Sequence, residues 1–286
     1  MRSIVSGVED REPSFDDLAN LIHSYFKEAE GKRQSRPRTL LVSALRNVFT
    51  EGLLPRNFEL FEFDDPIVSS KKNNLSKPFS IQNTVYIDTP MSIGLNQTDV
   101  QHWDDLNRLV LAKGTRSNDF ILNVISKDII FGDADINDSS RSSIGYTFKR
   151  NDGNAFNLLD CATGIKAFAI IQLLLRNGTI NEKTLLIIDE PEVHLHPQWI
   201  VEYARIIVLL NKKMGVKFFI TSHDPDFVSA IRYLSEKEGI LESVNFYLAE
   251  KTENTFTYKY RNLGHEIDPI FQSFNQAIDK IDKYSE

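Results

Sequence analysis

Two adjacent carboxylates follow an apolar run in the second half of the chain. Residues 185–188 have the composition of a buried strand, and Asp189 and Glu190 come directly after them. A carboxylate in this place can hold Mg²⁺, and the one beside it can activate a water molecule for attack on a phosphoryl group. The alternative is a solvated strand end. Because Pro191 and a second motif follow, the pattern favours a nucleotide site over a plain turn.

A histidine follows a second apolar run about thirty residues later. Residues 216–221 predict another buried strand, and Ser222 and His223 come directly after it. In an open α/β sheet, ligands bind at the carboxyl ends of the strands, so we expect His223 to lie near Asp189. A hydrogen-bonded core histidine is the alternative. Its position directly after a strand favours contact with a γ-phosphate.

A third motif, Thr163-Gly164-Ile165-Lys166, precedes both strands, and Asp189-Glu-Pro-Glu-Val-His-Leu-His-Pro197 lies between it and His223. Together the motifs resemble the ABC-type ATPase domain of the OLD and AAA-type stand-alone ATPases. These are relatives of the SMC-type ATPases, and many serve in bacterial anti-phage defence. The resemblance covers roughly residues 80–250 and is strongest over 158–228. It implies ATP and Mg²⁺ as ligands and a site shared between the subunits of a homodimer or higher homo-oligomer.

The resemblance also implies roles for individual residues in one subunit. Asp189 would be the Mg²⁺ ligand, Glu190 the base that activates water, and His223 the contact to the γ-phosphate. His194 lies in the loop that would couple the two nucleotide sites. For His194 and His196 the residues alone leave zinc open as an alternative, because alternate histidines on an extended segment point the same way. No third ligand stands at a recognisable spacing.

Residues Thr163, Gly164 and Lys166 would act on the nucleotide of the neighbouring subunit. Thr163 and Gly164 begin a predicted helix over residues 165–176, and a helix N-terminus attracts anions. The family usually has serine at the position of Ala162, and an ordinary helix start is the alternative. Lys166 is expected to be exposed, either as a phosphate contact or as a solvated charge.

One motif of the family is missing from the sequence. A Gly-x-x-x-x-Gly-Lys-Ser/Thr loop, whose backbone N–H groups and lysine hold phosphates, does not occur. The nearest dipeptide is Gly31-Lys32, but Phe26 stands where the first glycine belongs and Arg33 follows. The purified chain is therefore expected to bind ATP poorly. The loss of the strand that carries this loop would leave a slot beside the strand that ends before His223, and we expect that slot to be filled by an N-terminal segment, by a partner chain, or not at all.

Composition narrows the class of protein. The chain has 286 residues, 41% of them hydrophobic, with a net charge of -7 and a pI near 5.5. The mean hydropathy of -0.28 and the lack of a long apolar run argue against a membrane span. Nucleic-acid binding is not indicated by the charge but stays open for a local basic patch. The single cysteine, Cys161, and the lack of a signal peptide favour the cytoplasm.

The order of predicted elements gives the fold class. Residues 1–56 read as helices, 57–157 as a strand-rich and helical insertion part of the ATPase, and 158–286 as the ABC-type core. In the middle part, strands are predicted at 58–63, 84–87, 128–131 and 144–149, a helix near 100–111, and exposed loops at 69–76 and 133–143. In the last part, helices and apolar strands alternate. This predicts an α/β P-loop NTPase sheet with helices on both faces.

The sequence predicts an ATPase subunit that dimerises around ATP and drives or gates a partner effector, a nuclease or a toxin, in anti-phage defence. Two alternatives remain open. One is a scaffold or regulatory subunit that does not hydrolyse ATP. The other is the C-terminal fragment of a longer ATPase whose phosphate loop lies elsewhere.

Overall fold

A computed structural model describes residues 59–69, 74–75, 80–95, 98, 100–114, 119–140, 143–193, 195–253 and 257–285. The chain forms two compact units, Met1–Ser80 and Ile81–Glu286. The helices predicted for residues 1–56 lie outside the described residues, as does His194. In the part of the chain that is described, no helix has the length and apolar character needed to cross a membrane.

The first unit contains a small antiparallel sheet with the strand order β1-β2-β3. Its strands are β1 (Glu59–Glu62), β2 (Asp65–Ser69) and β3 (Asn74–Leu75). Phe63 turns the chain between β1 and β2 with a positive φ of 55°, and its side chain is 85% exposed. The strand predicted over residues 58–63 is confirmed, whereas β3 lies inside a segment predicted as loop.

The second unit alternates helices with strands. In chain order its elements are β4 (Asn83–Ile87), α1 (Gln101–Val110), α2 (Asp119–Asn123), β5 (Gly132–Ser140), β6 (Ser143–Arg150), β7 (Ala155–Asn157), α3 (Thr163–Arg176), β8 (Thr184–Asp189), α4 (Pro197–Met214), β9 (Lys217–Thr221), α5 (Pro225–Lys237), β10 (Phe246–Lys251), β11 (Tyr258–Gly264) and α6 (Asp268–Ser285). A π-helix, Val124–Ile129, continues α2, and one-turn 3₁₀ helices lie at Pro90–Ser92, Leu158–Asp160 and Leu241–Ser243.

A parallel sheet with the order β4-β8-β9 positions the two strand-end motifs. Its alternate residues Val85, Leu186 and Ile188 are fully or nearly fully buried in the main core. On the opposite face, Ile187 is half-buried and Phe219 is 62% exposed. The α/β class, the parallel strands and the helices between them are as predicted.

Two predictions for the middle of the chain are wrong. Residues 128–131, predicted as a strand, contain the end of the π-helix and the turn after it. Residues 133–143, predicted as a loop, belong mostly to β5, which pairs antiparallel with β6. The sequence of β5 is polar, and contacts from α3 hold it in place. The Ala134 N–H donates to Gln172 Oε1 at 3.0 Å, and Arg176 donates to the Ala134 carbonyl.

Helix α3 lies at the centre of the hydrophobic core. Its side chains Phe168, Ile170, Leu174 and Leu175 are completely buried. The run of apolar residues without a polar face explains this, because a helix that is hydrophobic all round can only be stable when it is surrounded. The predicted bounds of the helix, 165–176, agree with the structure to within two residues.

The two helices after the strand-end motifs begin with proline. Pro197 and Pro225 occupy first-turn positions, where the missing N–H group costs no hydrogen bond. Asp224 Oδ1 accepts from the Phe227 N–H at 2.7 Å and so caps α5. Gly215 ends α4 with a positive φ of 71°. Both helix starts and the end of α4 are as predicted.

Candidate active site

Asp189 lies at the carboxyl edge of the parallel sheet beside the end of the neighbouring strand. In the register of β8 and β9 its partner is Thr221. The Thr221 hydroxyl donates a hydrogen bond to the Asp189 carboxylate. A carboxylate and a hydroxyl are thereby brought together where the buried strand β8 and the half-exposed strand β9 end.

Glu190 turns the chain away from the sheet. Its φ is +46°, a left-handed conformation that is uncommon for a residue with a Cβ atom. The Glu190 N–H donates to the Thr221 carbonyl at 3.0 Å, and its own carbonyl accepts from the Val193 N–H at 3.0 Å. These bonds hold the turn in place. The carboxylate is left 45% exposed at the edge of the sheet.

His223 lies at the same edge. Its Nδ1 atom is 3.0 Å from Glu190 Oε1, and the imidazole is 67% exposed. The structure therefore brings three of the predicted site residues, Asp189, Glu190 and His223, to one end of the β8 and β9 strands. A histidine and a carboxylate at hydrogen-bond distance can exchange or share a proton.

Glu192 belongs to this cluster, although no role was predicted for it. Its side chain is only 5% exposed. Oε1 accepts from Ser222 Oγ at 2.8 Å and from the His223 N–H at 3.0 Å. The other oxygen, Oε2, is buried without a hydrogen-bond partner among the described residues. Its place next to Pro191 in the motif was visible in the sequence, but its burial was not.

A fourth carboxylate, Asp88, follows β4 at the level of Asp189, since Ile87 pairs with Ile188. His102 Nε2 lies 2.8 Å from Asp88 Oδ2, and Trp103 Nε1 donates to both oxygens. Burial alone would raise the pKa of Asp88, but the hydrogen bonds from His102 and Trp103 outweigh it and hold the pKa below its ordinary value. This residue was missed because its partners come from a separate helix.

The motif at the start of α3 is fixed by packing. A Cβ atom at Gly164 would lie 2.1 Å from Trp199 Cε3, so only glycine allows the ring this close. Within the described residues no side chain caps the helix at Ala162. Lys166 is 6% exposed, so the expectation that it is an exposed or solvated charge is wrong. Its Nζ atom contacts Met91 Sδ at 3.8 Å, so the side chain packs against the segment after β4.

Of the two histidines in the motif, His196 has a structural role. His196 is the N-cap of α4, where its Nδ1 atom accepts from the Gln198 N–H at 3.4 Å. His194 lies outside the described residues. Among the residues that are placed, no group of three or more histidine, cysteine, aspartate or glutamate side chains could hold a metal ion.

Several solved structures are similar to this chain at low sequence identity. An Smc head domain with a coiled coil and joint from Pyrococcus yayanosii is 10% identical, with a TM-score of 0.40 over 55% of this chain and 28% of that one. An Smc head domain from Pyrococcus furiosus, bound to the C-terminal domain of ScpA, is 11% identical, with a TM-score of 0.37 over 58% and 37% of the two chains. The chain thus spans well under half of either.

A third solved structure comes from a study of ATP-driven dimerization and DNA-stimulated activation of SMC ATPases. It is 10% identical, with a TM-score of 0.38 over 58% of this chain and 89% of that one. No curated protein matches the chain.

A family model matches residues 15–229, which is well over half of the chain. The family is described as "AAA domain, putative AbiEii toxin, Type IV TA system". The matched range includes the start of α3 and the ends of β8 and β9, where the candidate site residues lie. The chain therefore belongs to this family of AAA domains.

Proposed function

We propose that the chain is the catalytic subunit of an Mg²⁺-dependent ATPase that closes into a homodimer, or a higher homo-oligomer, around ATP. Asp189 holds the metal ion, Glu190 orients the attacking water, and His223 contacts the γ-phosphate. The single observation that carries the proposal is the 3.0 Å contact between Glu190 and His223 beside Asp189. A solvated strand end without a function would not require a carboxylate and an imidazole at hydrogen-bond distance from each other.

The side chains at the strand ends suit Mg²⁺. This ion takes oxygen ligands, usually one or two carboxylates with several waters. Asp189 supplies a carboxylate, and Thr221 supplies a hydroxyl that is hydrogen-bonded to it. When bound, Mg²⁺ would draw negative charge from the phosphate oxygens and orient them. Asp189 is the residue that would hold it, directly or through water.

Glu190 and His223 provide the proton chemistry. The exposed Glu190 carboxylate can accept a hydrogen bond from water and so hold it ready for attack. His223 Nδ1 is within hydrogen-bond distance of that carboxylate, which keeps the side chain of Glu190 directed along the edge. Glu192 positions the loop after β9, because its Oε1 atom accepts hydrogen bonds from both Ser222 Oγ and the His223 N–H.

The start of α3 is proposed to act on the nucleotide of the second subunit. Its uncapped N–H groups, the Thr163 hydroxyl and the Lys166 ammonium are donors suited to phosphate oxygens. Gly164 lets the helix start pack against Trp199, so the donors are held on a rigid base. His194 would contribute to coupling between the two sites.

Closure of the subunits around ATP is proposed to drive or gate a partner effector. The resemblance to defence ATPases points to a nuclease or a toxin, and the family description also names a toxin of a toxin–antitoxin system. Such a partner would supply the effector activity, because the candidate residues of this chain serve phosphoryl transfer alone. A role in anti-phage defence is the setting in which we place this activity.

A second candidate function is a subunit that receives its phosphate loop from another polypeptide, as expected if the chain is part of a longer or divided ATPase. Strand β9 pairs with β8 on one side, and no described strand pairs with its other side. Phe219 in β9 is 62% exposed. An unpaired parallel strand with an exposed aromatic side chain is a template for one more strand. The coding region upstream of this sequence is the place to look for the missing loop.

The test of the ATPase proposal is turnover in Glu190→Gln, measured with the phosphate loop supplied if the purified chain alone binds Mg-ATP weakly. Glutamine keeps the shape but cannot act as a base, so hydrolysis should fall by roughly 10²–10⁴-fold while binding survives. Because ATP then stays bound, the dimer should accumulate in light scattering with Mg-ATP. Asp189→Ala should lose turnover without trapping the dimer.

The matched control is Glu182→Gln, which removes a carboxylate from the exposed turn before β8. It should leave turnover unchanged. If Glu190→Gln hydrolyses ATP at the unmodified rate, Glu190 is not the base and this edge is not the catalytic one. A complex with the loop-bearing polypeptide that binds ATP but never hydrolyses it would favour the regulatory scaffold instead.

A further inference from the structure

Lys166 is a buried lysine whose ammonium group has no anionic partner among the described residues. The residue is 6% exposed, and its Nζ atom contacts Met91 Sδ at 3.8 Å. Among the described residues, Nζ makes no other hydrogen bond or ion pair. A thioether sulfur is a weak acceptor, and burial of a charge without a counter-charge is unfavourable. The site therefore contains a donor that lacks a strong acceptor.

The same sulfur atom lies against a second donor. Thr163 Oγ1 contacts Met91 Sδ at 3.7 Å. Thr163 begins α3, and no described side chain caps the N–H groups of that first turn. A hydroxyl and an ammonium from the first turn of α3 thus contact the same sulfur atom, that of Met91. Both donors, and the N-terminus of the helix that carries them, suit an anion better than a thioether.

Met91 combines a backbone held by hydrogen bonds with a partly exposed side chain. It lies in the 3₁₀ turn Pro90–Ser92, and Ser92 is completely buried. Asn107 clamps this turn, because its Nδ2 donates to the Ser92 carbonyl at 2.8 Å and its Oδ1 accepts from the Gly94 N–H at 2.7 Å. The Met91 side chain is nevertheless 49% exposed. An unbranched side chain with three rotatable bonds can swing outward without moving the turn.

We propose that Met91 is a displaceable cap over an anion site formed by Lys166, Thr163 and the N-terminus of α3. A phosphate group enters by displacing the thioether, and Lys166 then exchanges a weak sulfur contact for a charge-assisted hydrogen bond. The inference rests on the proposed function for the identity of the anion, the terminal phosphate of a nucleotide. Beyond the proposed function, it gives the anion site a closed state in which Met91, from the segment after β4, covers the donors.

The cap predicts how anion affinity responds to mutation. If the thioether covers the site about nine-tenths of the time, Met91→Ala should tighten binding of inorganic tripolyphosphate roughly tenfold, because the competent fraction of molecules rises to one. Lys166→Met keeps the length of the side chain without its charge and should lose most of the binding. The double variant should bind no better than Lys166→Met. Leu95→Ala, 42% exposed on the same segment, is the matched control and should bind like the unmodified chain.

A chemical measurement checks the same cap without any binding assay. Amine-reactive acylation, mapped by mass spectrometry, should modify Lys166 faster in Met91→Ala, and tripolyphosphate should protect it. Circular dichroism melting shows that each variant is folded. The proposal is overturned if Met91→Ala binds tripolyphosphate no more tightly, if its gain persists in the double variant, or if Lys166 labelling does not increase.

Separate arms distinguish this proposal from the proposed function. Tripolyphosphate binding and lysine labelling use the chain as it is and need no hydrolysis, so they test the cap alone. The Glu190→Gln turnover tests the ATPase alone. Titration with Mg-ATP beside tripolyphosphate shows which source of phosphate the site takes. Tighter binding of tripolyphosphate but not of Mg-ATP in Met91→Ala would support the cap and contradict a nucleotide as its ligand.

Discussion

The carboxyl edge of the parallel sheet and the first turn of α3 carry the candidate residues in two different ways. At the sheet edge, Glu190 and His223 are 45% and 67% exposed, and hydrogen bonds along the loops position them. At the start of α3, Gly164 and Lys166 are buried, and the ring of Trp199 lies directly on the helix backbone. One region is held by polar contacts and the other by packing.

This difference decides how each region responds to change. A packed interior is close to crystal density, so an added methyl group must displace something. A hydrogen-bonded loop near solvent can rearrange and replace a lost partner with water. We therefore expect mutations at the α3 start to affect stability first. Mutations at the sheet edge should affect chemistry first, with the buried carboxylate of Glu192 as the exception.

The largest effect on stability is expected for Gly164→Ala. The new Cβ atom would lie 2.1 Å from Trp199 Cε3, so the ring or the helix must move. Overpacking of this kind destabilises by about 1–3 kcal/mol, measured as the free energy of unfolding in urea. Thr163→Ala changes the neighbouring residue without adding volume and serves as the control.

The cause of that loss is tested with a double-mutant cycle. Trp199→Leu removes the ring that the alanine would meet. If the clash is the cause, Gly164→Ala should be much less destabilising in the Trp199→Leu background than alone. Equal losses in both backgrounds would contradict the packing argument and point to the helix start itself.

A smaller loss of stability is expected for Glu192→Ala. The change leaves Ser222 Oγ and the His223 N–H without their acceptor at 2.8 and 3.0 Å. Losing the acceptor of a fully buried donor costs about 1–3 kcal/mol. The loss is smaller here because both hydrogen bonds are only partly buried and the Oε2 atom of Glu192 is itself unsatisfied among the described residues. Glu190→Ala, at the exposed edge, should change the free energy of unfolding by less than about 0.5 kcal/mol. A larger loss in Glu190→Ala than in Glu192→Ala would reverse the comparison.

Much of the second unit could be predicted from the sequence because its strongest signals are local. The apolar runs of β8 and β9, the proline starts of α4 and α5 and the end of α4 at Gly215 all follow from residue types within a few positions. The sequence also predicted that Asp189 and His223 share one sheet edge, since both follow apolar runs that form parallel strands. The expectation that the second of these strands is buried was wrong, because β9 has no described neighbour on its other side and is half-exposed.

The rest depends on contacts between distant residues. The polar strand β5 is held by Gln172 and Arg176 of α3, which no local pattern reveals. The burial of Lys166 under Met91 joins segments 75 positions apart. The positive φ of Glu190 follows from the turn that its backbone bonds close, and its residue type gives no sign of it.

The smallest expected effect concerns Asp88 at the far side of the sheet edge. Burial opposes its ionisation, but the hydrogen bonds from His102 and Trp103 hold its pKa below the ordinary value. A lowered folded pKa means that the ionised form stabilises the fold above the unfolded pKa, and that this contribution is lost as pH falls through the folded pKa. Asp88→Asn should therefore lower the free energy of unfolding near neutral pH, and the difference from the unmodified chain should shrink as the pH falls below about 5, through the unfolded aspartate pKa of about 3.9 and then through the lower folded pKa. Trp103→Phe removes one donor and should reduce that pH-dependent difference. A difference that stays constant with pH would show that Asp88 contributes through shape and not through its charge.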